Sequence, residues 1–463
     1  MRFLKSIIFL VVPLAVSAQT TTQNYIVTTV PYQAVSDPST LTDANSNTSI
    51  QYFDGLGRPS QAIQRAITPN SADLITAIDY DALGRESTKW LPAVVSSNNG
   101  AYYSSYSTQA VTSNGGDAKP YSTIEYEPSP MNRVSGQYGP GNDWYSSSKK
   151  VATAYTKNAS DVKYFYVANN LLKCYGTYSV ATLNGILTTD EDGKTAEEFT
   201  DKIGNKVLKR VAGSYDTYYV YDEMGNLRYV LPPLAADGLS TDTTGFSELS
   251  GSILDRYGYI YHYDGRKRIT EKKLPGTDWL YLVYDKADRL ILSQDGNQRL
   301  NSKWTVNKYD KFGRLLYSGI LSSTNGRSQM ESSYSSAVTN ETYTGSGTIG
   351  GYTCSNLAPA SLLAINYYDD YSCLNFSNYS TTTRTTLTNT SQGGYTTPDL
   401  THVKNLLTGT CIYHLDDPAK FELTALYYDK YGRTVQSRSS NHLAGYDITY
   451  SLLDFTGKAT QSY

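Results

Sequence analysis

Charge is scarce in this sequence. Charged residues make up 18% of the 463, against about 25% in an ordinary soluble protein, too few for a disordered or long coiled-coil chain. Positive charge is missing in particular: 40 Lys and Arg stand against 43 Asp and Glu, for a formal charge of −3. No basic field exists to gather nucleic acid or an anionic membrane. Histidine is limited to four residues, His262, His402, His414 and His442, and they are scattered, so a His-based general base is hard to place. There is no G-x-S-x-G, no H-E-x-x-H and no phosphate-binding glycine loop. Paired acids such as Asp369-Asp370 and Asp416-Asp417 read as solvated loops. The expectation is a protein without catalytic residues, metal or cofactor.

Long apolar runs are absent too, apart from one. Arg2 and Lys5 form a positive n-region, Ile7 to Val16 an apolar stretch, and Val16-Ser17-Ala18 a small-residue cleavage pattern. The stretch is shorter than the ~20 residues of a membrane span. Residues 1–18 therefore read as a signal peptide cleaved between Ala18 and Gln19, and its loss takes the formal charge to −5. No later run spans a membrane, so the mature chain is expected to be exported: periplasmic, at the cell surface or secreted. Export puts the four cysteines in an oxidising setting. Cys354, Cys373 and Cys411 share one stretch while Cys174 lies far upstream. Their spacing fits no zinc pattern, and both one disulfide within 354–411 and unpaired buried thiols stay open.

What is abundant is tyrosine, 44 residues against ten Phe and four Trp, together with 35 Gly. Tyr favours half-buried strand surfaces, and the composition points to sheet and turn. A unit Tyr-Asp-x-x-Gly-Arg recurs. Its clearest copies are centred on Asp81, Gly84 and Arg85; Asp222, Gly225 and Asn226; Asp310, Gly313 and Arg314; and Asp429, Gly432 and Arg433. Asp54, Gly57 and Arg58 form a copy with Phe53 in the Tyr place. Weaker copies start at Asp201 and Asp454, and Asp264 and Asp285 have Lys267 and Asp288 where Gly would stand. In all nine the fourth residue after Asp is Arg, Asn or Lys, and in seven the third is Gly. Asp201 and Asp222 are 21 apart, as are Asp264 and Asp285, and Asp222 and Asp264 are 42 apart. Residue identity and period therefore agree.

The chemistry is that of a β-hairpin. Asp opens a turn by accepting from backbone N–H groups two residues on, and Gly supplies a positive φ. Tyr ends one strand and Arg or Asn begins the next. Arg can reach back to the Asp carboxylate or lie over a neighbouring Tyr ring. A ligand or metal site is the competing reading of these positions, but a catalytic dyad would not be copied nine times along a wall. Tyr367-Tyr368-Asp369-Asp370 imitates the unit without its Gly and Arg and is left out of the set.

These residues resemble the YD repeats of the Rhs family, found also in teneurins and insecticidal toxin-complex subunits. Phe53 to Pro59, Leu91-Pro92, Tyr126 to Val134 and Gly139 to Trp144 look like a domain of unknown function that precedes the repeats in secreted bacterial Rhs-type proteins. Asn226 to Pro233, Tyr261 to Arg266, Glu271 to Gly276 and Tyr284 to Arg289 follow in the family's order. The resemblance covers about residues 24–320 and 425–463. It implies an all-β fold, a spiral sheet of hairpins forming a hollow shell, which in many members encloses a C-terminal toxin released by self-cleavage. No Rhs core, cleavage motif or toxin is found here, so the chain is expected to be a fragment or truncated product whose partner is the missing C-terminal core and toxin region.

The expected organisation is a signal peptide (1–18), the N-terminal domain of unknown function with the first YD-like units (24–145), an irregular β-rich connection (146–198), a YD-repeat sheet (199–320), a polar insertion (321–424) and a truncated repeat continuation (425–463). Phe246, Leu249 and Ile253 fall at helical spacing with Ser247 as a cap, so a helix over 246–257 competes with a loop. The function expected is a non-enzymatic structural β-shell segment. The alternative is a cell-surface carbohydrate-binding or adhesion module, recognising carbohydrate or protein. Tyr and Trp clustered on an exposed concave surface would mark it, whereas Tyr packed inward against one another marks the shell.

Overall fold

Alternation of apolar and polar residues, broken every few residues by Gly, Asp and Asn, leaves the backbone little choice but short strands joined by tight turns. A computed structural model describes residues 20, 22–33, 35, 37–347, 349–376 and 379–463. The expected cleavage site at Ala18 and Gln19 lies outside the described residues. The protein is all-β, its strands paired antiparallel, and among the described residues the longest α-helices have eight residues. It divides into two compact units, one comprising residues up to 161 with 178–215, the other 162–177 with 216–463.

In the first unit the strands Asn24–Pro31, Ser46–Phe53, Pro59–Arg65 and Asp73–Tyr80 pair in sequence order. Asp73–Tyr80 then pairs with two strands: its first half with Ala93–Val95, its second with Glu86–Trp90. From Glu86–Trp90 the ladder continues through Tyr121–Tyr126, Val134–Tyr138, Val151–Lys157, Asn184–Thr189, Thr195–Thr200 and Lys206–Val211. Ser46, Thr48, Ile50 and Tyr52 alternate inward. Ile50 and Tyr52 pack with Ile63 and Ile75 under the helix Tyr106–Ser113. Tyr106 is buried there, and its hydroxyl donates to the Ile75 carbonyl at 2.9 Å, which satisfies the one polar atom the ring carries inside.

The second unit is a long meander. Tyr215–Tyr221, Leu227–Leu231, Tyr259–Tyr263, Ile269–Lys273, Leu280–Tyr284, Leu290–Gln294, Lys303–Tyr309 and Leu315–Ser322 are each paired with the next. Two strands within 321–424, Ser361–Tyr368 and Leu407–Tyr413, carry the ladder on to Phe421–Tyr428, Thr434–Ser440, Tyr446–Leu453 and Ala459–Ser462. Residues 323–360 and 370–406 are excursions between these strands. They supply Tyr352, Tyr379 and Leu387 to a core with Tyr317, Tyr367, Cys411 and Tyr427. Buried Tyr tips are met by excursion backbone: Tyr367 donates to Gly350 at 2.9 Å and Tyr427 to Leu387 at 2.6 Å.

Of the stretch 246–257, for which helix and loop compete, only Ile253–Tyr257 is helical. Gly251 at φ +85° interrupts the stretch, and Ser252, not Ser247, caps the helix by accepting the Asp255 N–H at 3.1 Å. Upstream, Phe246 donates its N–H to Leu172 at 2.9 Å and Asp242 exchanges both backbone bonds with Cys174, so this stretch lies along the hairpin Lys163–Ala168/Leu171–Thr177. All four cysteines are free thiols. Burial pushes Cys373 and Cys411 each up to about 12, which makes them inert core atoms at neutral pH.

Candidate functional site

The recurrent feature of the molecule is its turn. At Asp310, Oδ1 accepts the N–H of Phe312 at 2.8 Å and of Arg314 at 2.9 Å. The Asp310 N–H donates to the Arg314 carbonyl at 3.0 Å, and Gly313 at φ +82° donates to the Asp310 carbonyl at 3.1 Å. This is a type I turn closed by a left-handed residue and a bulge, the three-residue hairpin loop whose twist suits antiparallel strands. The same bonds recur at Asp54, Asp81, Asp201, Asp222, Asp264, Asp285, Asp429 and Asp454. Gly57, Gly84, Gly225 and Gly432 hold the left-handed place at φ between +77° and +80°. Lys267 and Asp288 hold it at +62°.

The other carboxylate oxygen takes the side chain four residues on. The Nε atoms of Arg58, Arg85, Arg268, Arg289, Arg314 and Arg433 donate to Oδ2 of their Asp at 2.6–2.8 Å. Asn226 and Asn205 use Nδ2 at 3.0 and 3.1 Å. Since the guanidinium binds through its edge, its flat face stays free, and it covers the Tyr that ends a strand of the following hairpin. Arg58 lies over Tyr80, Arg85 over Tyr126, Arg268 over Tyr284, Arg289 over Tyr309 and Arg314 over Tyr368, 4.1–5.1 Å from the ring centre. The covered Tyr then donates its hydroxyl back to the carbonyl just after that Arg: Tyr80 to Pro59 at 2.7 Å, Tyr126 to Glu86 at 2.9 Å, Tyr309 to Leu290 at 2.8 Å and Tyr368 to Leu315 at 3.1 Å. Arg289 and Arg433 also donate Nη1 to the carbonyls of the next Asp, Asp310 and Asp454, at 3.0 and 3.1 Å. Where the unit carries Arg and the following hairpin ends in Tyr, the Asp, its turn and the Arg thus form one device that closes the turn and fastens it to the next.

Several members of the ladder escape a search for the motif. Tyr368-Asp369, set aside above, is one of them. Asp369 donates its N–H to Leu406 at 3.2 Å and its carboxylate accepts from Asn405 N–H at 2.7 Å, while Arg314 grips both oxygens at 2.9 and 2.7 Å. The turn is intact at its base, and 370–406 is extruded through it. Glu127 and Arg133 close a longer turn, with the longer carboxylate accepting Nε and Nη2 at 2.6 and 2.7 Å, and Arg133 lies 4.2 Å over Tyr155. Asp190 with Gly193 and Lys194, and Asn441 with Ala444 and Gly445, make the same backbone turn in connections that follow or precede the ladder's by one strand.

The electrostatics match this use. The backbone N–H of Arg58 holds the Asp54 carboxyl below its usual range, and that of Arg85 does so for Asp81, the paired guanidinium assisting in each. At Asp429 burial works in the opposite direction, and the bonds from Arg433 and Tyr431 outweigh it. A second charged group lies apart from the turns. His262 Nδ1 stands 2.8 Å from Glu271 and Nε2 3.0 Å from Glu248. Tyr229 donates to Glu248, Arg327 reaches Glu271 at 2.7 Å, and Trp279 packs on the imidazole. Burial alone would lower His262, but the two carboxylates raise it to about 9. Nothing in the sequence spacing marks this cluster, because its six members come from six separate stretches of the chain. Among the described residues, no group of three or more His, Cys, Asp or Glu is arranged to hold a metal, and no helix is long and apolar enough to cross a membrane.

Most Tyr side chains are half-buried, and the most deeply buried ones pack against one another. Tyr52, Tyr229, Tyr317, Tyr367 and Tyr427 are among the largest fully buried side chains, and Tyr352 stacks on Tyr367 and Tyr371 on Tyr427 at 5.6 and 4.6 Å. What the ladder exposes are the apolar tips two residues after Asp, including Leu56, Leu83, Ile203, Met224, Phe312 and Tyr431.

Residues 25–157 match a family described as a domain of unknown function, DUF6443. No curated protein matches the chain. Among solved structures it is similar to that of TcdB2-TccC3, with 11% identity, a TM-score of 0.45, and coverage of 90% of this chain and 18% of that one. It is likewise similar to a Photorhabdus luminescens Tc holotoxin pore, with 11% identity, a TM-score of 0.46, and coverage of 94% and 19%. The chain spans about a fifth of the length of these solved chains.

Proposed function

We propose that this chain is a structural wall segment of an exported Rhs-type protein, without catalytic activity of its own, and that its partner is an effector polypeptide which the wall encloses or presents. The observation that carries this reading is the ladder itself. The Asp, Arg and Tyr polar groups are consumed in joining one hairpin to the next, so the repeated chemistry is directed at neighbouring hairpins rather than at a ligand. The stacking of buried Tyr on Tyr, as of Tyr352 on Tyr367 and Tyr371 on Tyr427, supports the wall over a sugar-binding surface, which would need the ring faces free. The test uses the native product, isolated intact from the extracellular or periplasmic fraction and treated with protease. A polypeptide that resists digestion while the wall is folded, and is digested once the wall is denatured, is the expected result. Recovery of the folded chain with no protected polypeptide contradicts the proposal.

A further inference from the structure

One buried group takes no part in the ladder. Lys308, on the strand Lys303–Tyr309, and Glu341, in the excursion that follows Ser322, are 3% and 0% exposed. Lys308 Nζ stands 3.0 Å from Glu341 Oε1 and 2.7 Å from Oδ1 of Asn356. An ammonium has only hydrogens to offer, so the amide must present its oxygen to it. The amide NH2 points the other way and donates to Thr339 Oγ1 at 3.2 Å. A cavity of about 100 Å³ adjoins the group, lined by Lys308, Asn356, Thr339 and Tyr334 among others. The result is a primary amine held against a carboxamide, with a carboxylate touching the amine and space beside the amide.

We propose that Lys308 and Asn356 become joined by an amide bond within the folded chain, with Glu341 as the proton carrier. Glu341 takes one proton from the Lys308 ammonium, and the free amine attacks Cγ of Asn356. The Nζ–Cγ bond forms and the Cγ–Nδ2 bond breaks. The stored proton and a second proton from Nζ pass to Nδ2, which leaves as ammonium. Ammonium and amide therefore become a secondary amide and free ammonium, with charge conserved and no redox partner needed. Fixed proximity supplies the drive, since the strand and the excursion hold the amine in hydrogen-bond contact with the amide at 2.7 Å. Thr353 Oγ1 at 2.7 Å and the Ser355 N–H at 3.0 Å also bind Glu341. Burial raises this carboxyl, but these bonds and Lys308 outweigh it and hold it below its usual range. Proton transfer to it is consequently uphill, and the reaction is slow. Its product would tie the excursion covalently to the sheet.

The test is the mass of the purified full chain, denatured after incubation in the folded state until the mass is constant. The expected mass is one ammonia below that of the sequence. A succinimide at an Asn–Gly pair such as Asn184-Gly185 also loses ammonia, so the deciding readout is the tryptic digest. Amidation blocks cleavage at Lys308, and a branched peptide joining 304–311 to 328–384 is expected. Glu341→Gln and Lys308→Arg, checked for retained β structure, should lack it. Recovery of 304–308 and 328–384 as separate peptides from the wild-type chain overturns the proposal whatever the variants do.

Discussion

The guanidinium of Arg314 lies 4.5 Å above the ring of Tyr368, 54 residues further along the chain, while its edge binds Asp310 and Asp369 together. One side chain thereby closes its own turn, covers the strand end of the next and anchors the base of a turn through which a long excursion emerges. The shared grip pushes Arg314 further above its already high value, the bonds to Asp369 contributing most, and it stays charged at every accessible pH.

Arg314→Ala should cost about 2–4 kcal/mol in urea unfolding, because two partly buried carboxylates lose their partner. Arg314→Lys should recover less than half of that, since a point charge cannot bind two carboxylates edge-on and cover a ring at once. Full recovery by Lys would show that charge alone matters.

The left-handed turn position gives a cleaner test. A Cβ placed at Gly225 or Gly313 meets nothing within 4 Å, so any penalty there is purely one of backbone conformation. Gly313→Val and Gly225→Val should each cost about 1–3 kcal/mol, and Gly313→Asn much less, because Asn tolerates positive φ. Gly84 differs: a methyl there would meet Arg58 Nη1 at 2.6 Å, so Gly84→Ala should also displace the neighbouring Arg.

The His262 cluster sets an alkaline limit. Its folded value of about 9 stands above the ordinary 6.5, so its contribution is complete below about 6.5 and is lost as pH rises through about 9. The unfolding midpoint should fall across that window, by at most about 2–3 kcal/mol in stability, and His262→Gln should flatten this fall. The turn carboxylates act at the other end. Asp264 and Asp429 are lowered despite burial, so their contribution is full above about 4 and is lost as pH falls through their lowered folded values. A midpoint that rises between pH 7 and 9.5 in the wild type would contradict the reading of His262.

The turns are legible in the sequence because all their groups fall within five residues, and identity at fixed spacing exposes them. Where the spacing breaks, legibility ends. The turn at Asp369 is closed by Asn405 and Leu406, beyond an intervening excursion, so local inspection finds an Asp without its Gly and Arg. Glu127 hides because a longer side chain spans a longer loop to Arg133. Residues 321–424 read as polar, yet Ser361–Tyr368 and Leu407–Tyr413 lie within them as ordinary ladder strands, marked only by alternation. The sequence offers Arg two partners, the Asp carboxylate and a Tyr ring. It takes both, since the edge and the face of a guanidinium are separate surfaces. Lys308, Glu341 and Asn356, like His262 with Glu248 and Glu271, meet only through folding, and no spacing in the chain announces them.

The central claim is that Arg58, Arg85, Arg268, Arg289 and Arg314 each couple their hairpin to the next through the following Tyr. The most direct measurement is a double-mutant cycle on Arg58 and Tyr80, which stand 4.1 Å apart with the Tyr80 hydroxyl on Pro59. Arg58→Ala, Tyr80→Leu and the double variant would be compared by urea unfolding, with Arg58→Ala and Tyr155→Leu, whose ring is covered by Arg133 instead, as the control. The account expects a coupling of about 0.5–1.5 kcal/mol for the adjacent pair and additivity for the control. Additivity within error for Arg58 and Tyr80 would contradict it, and the covered Tyr rings would then be packing without linking one repeat to another.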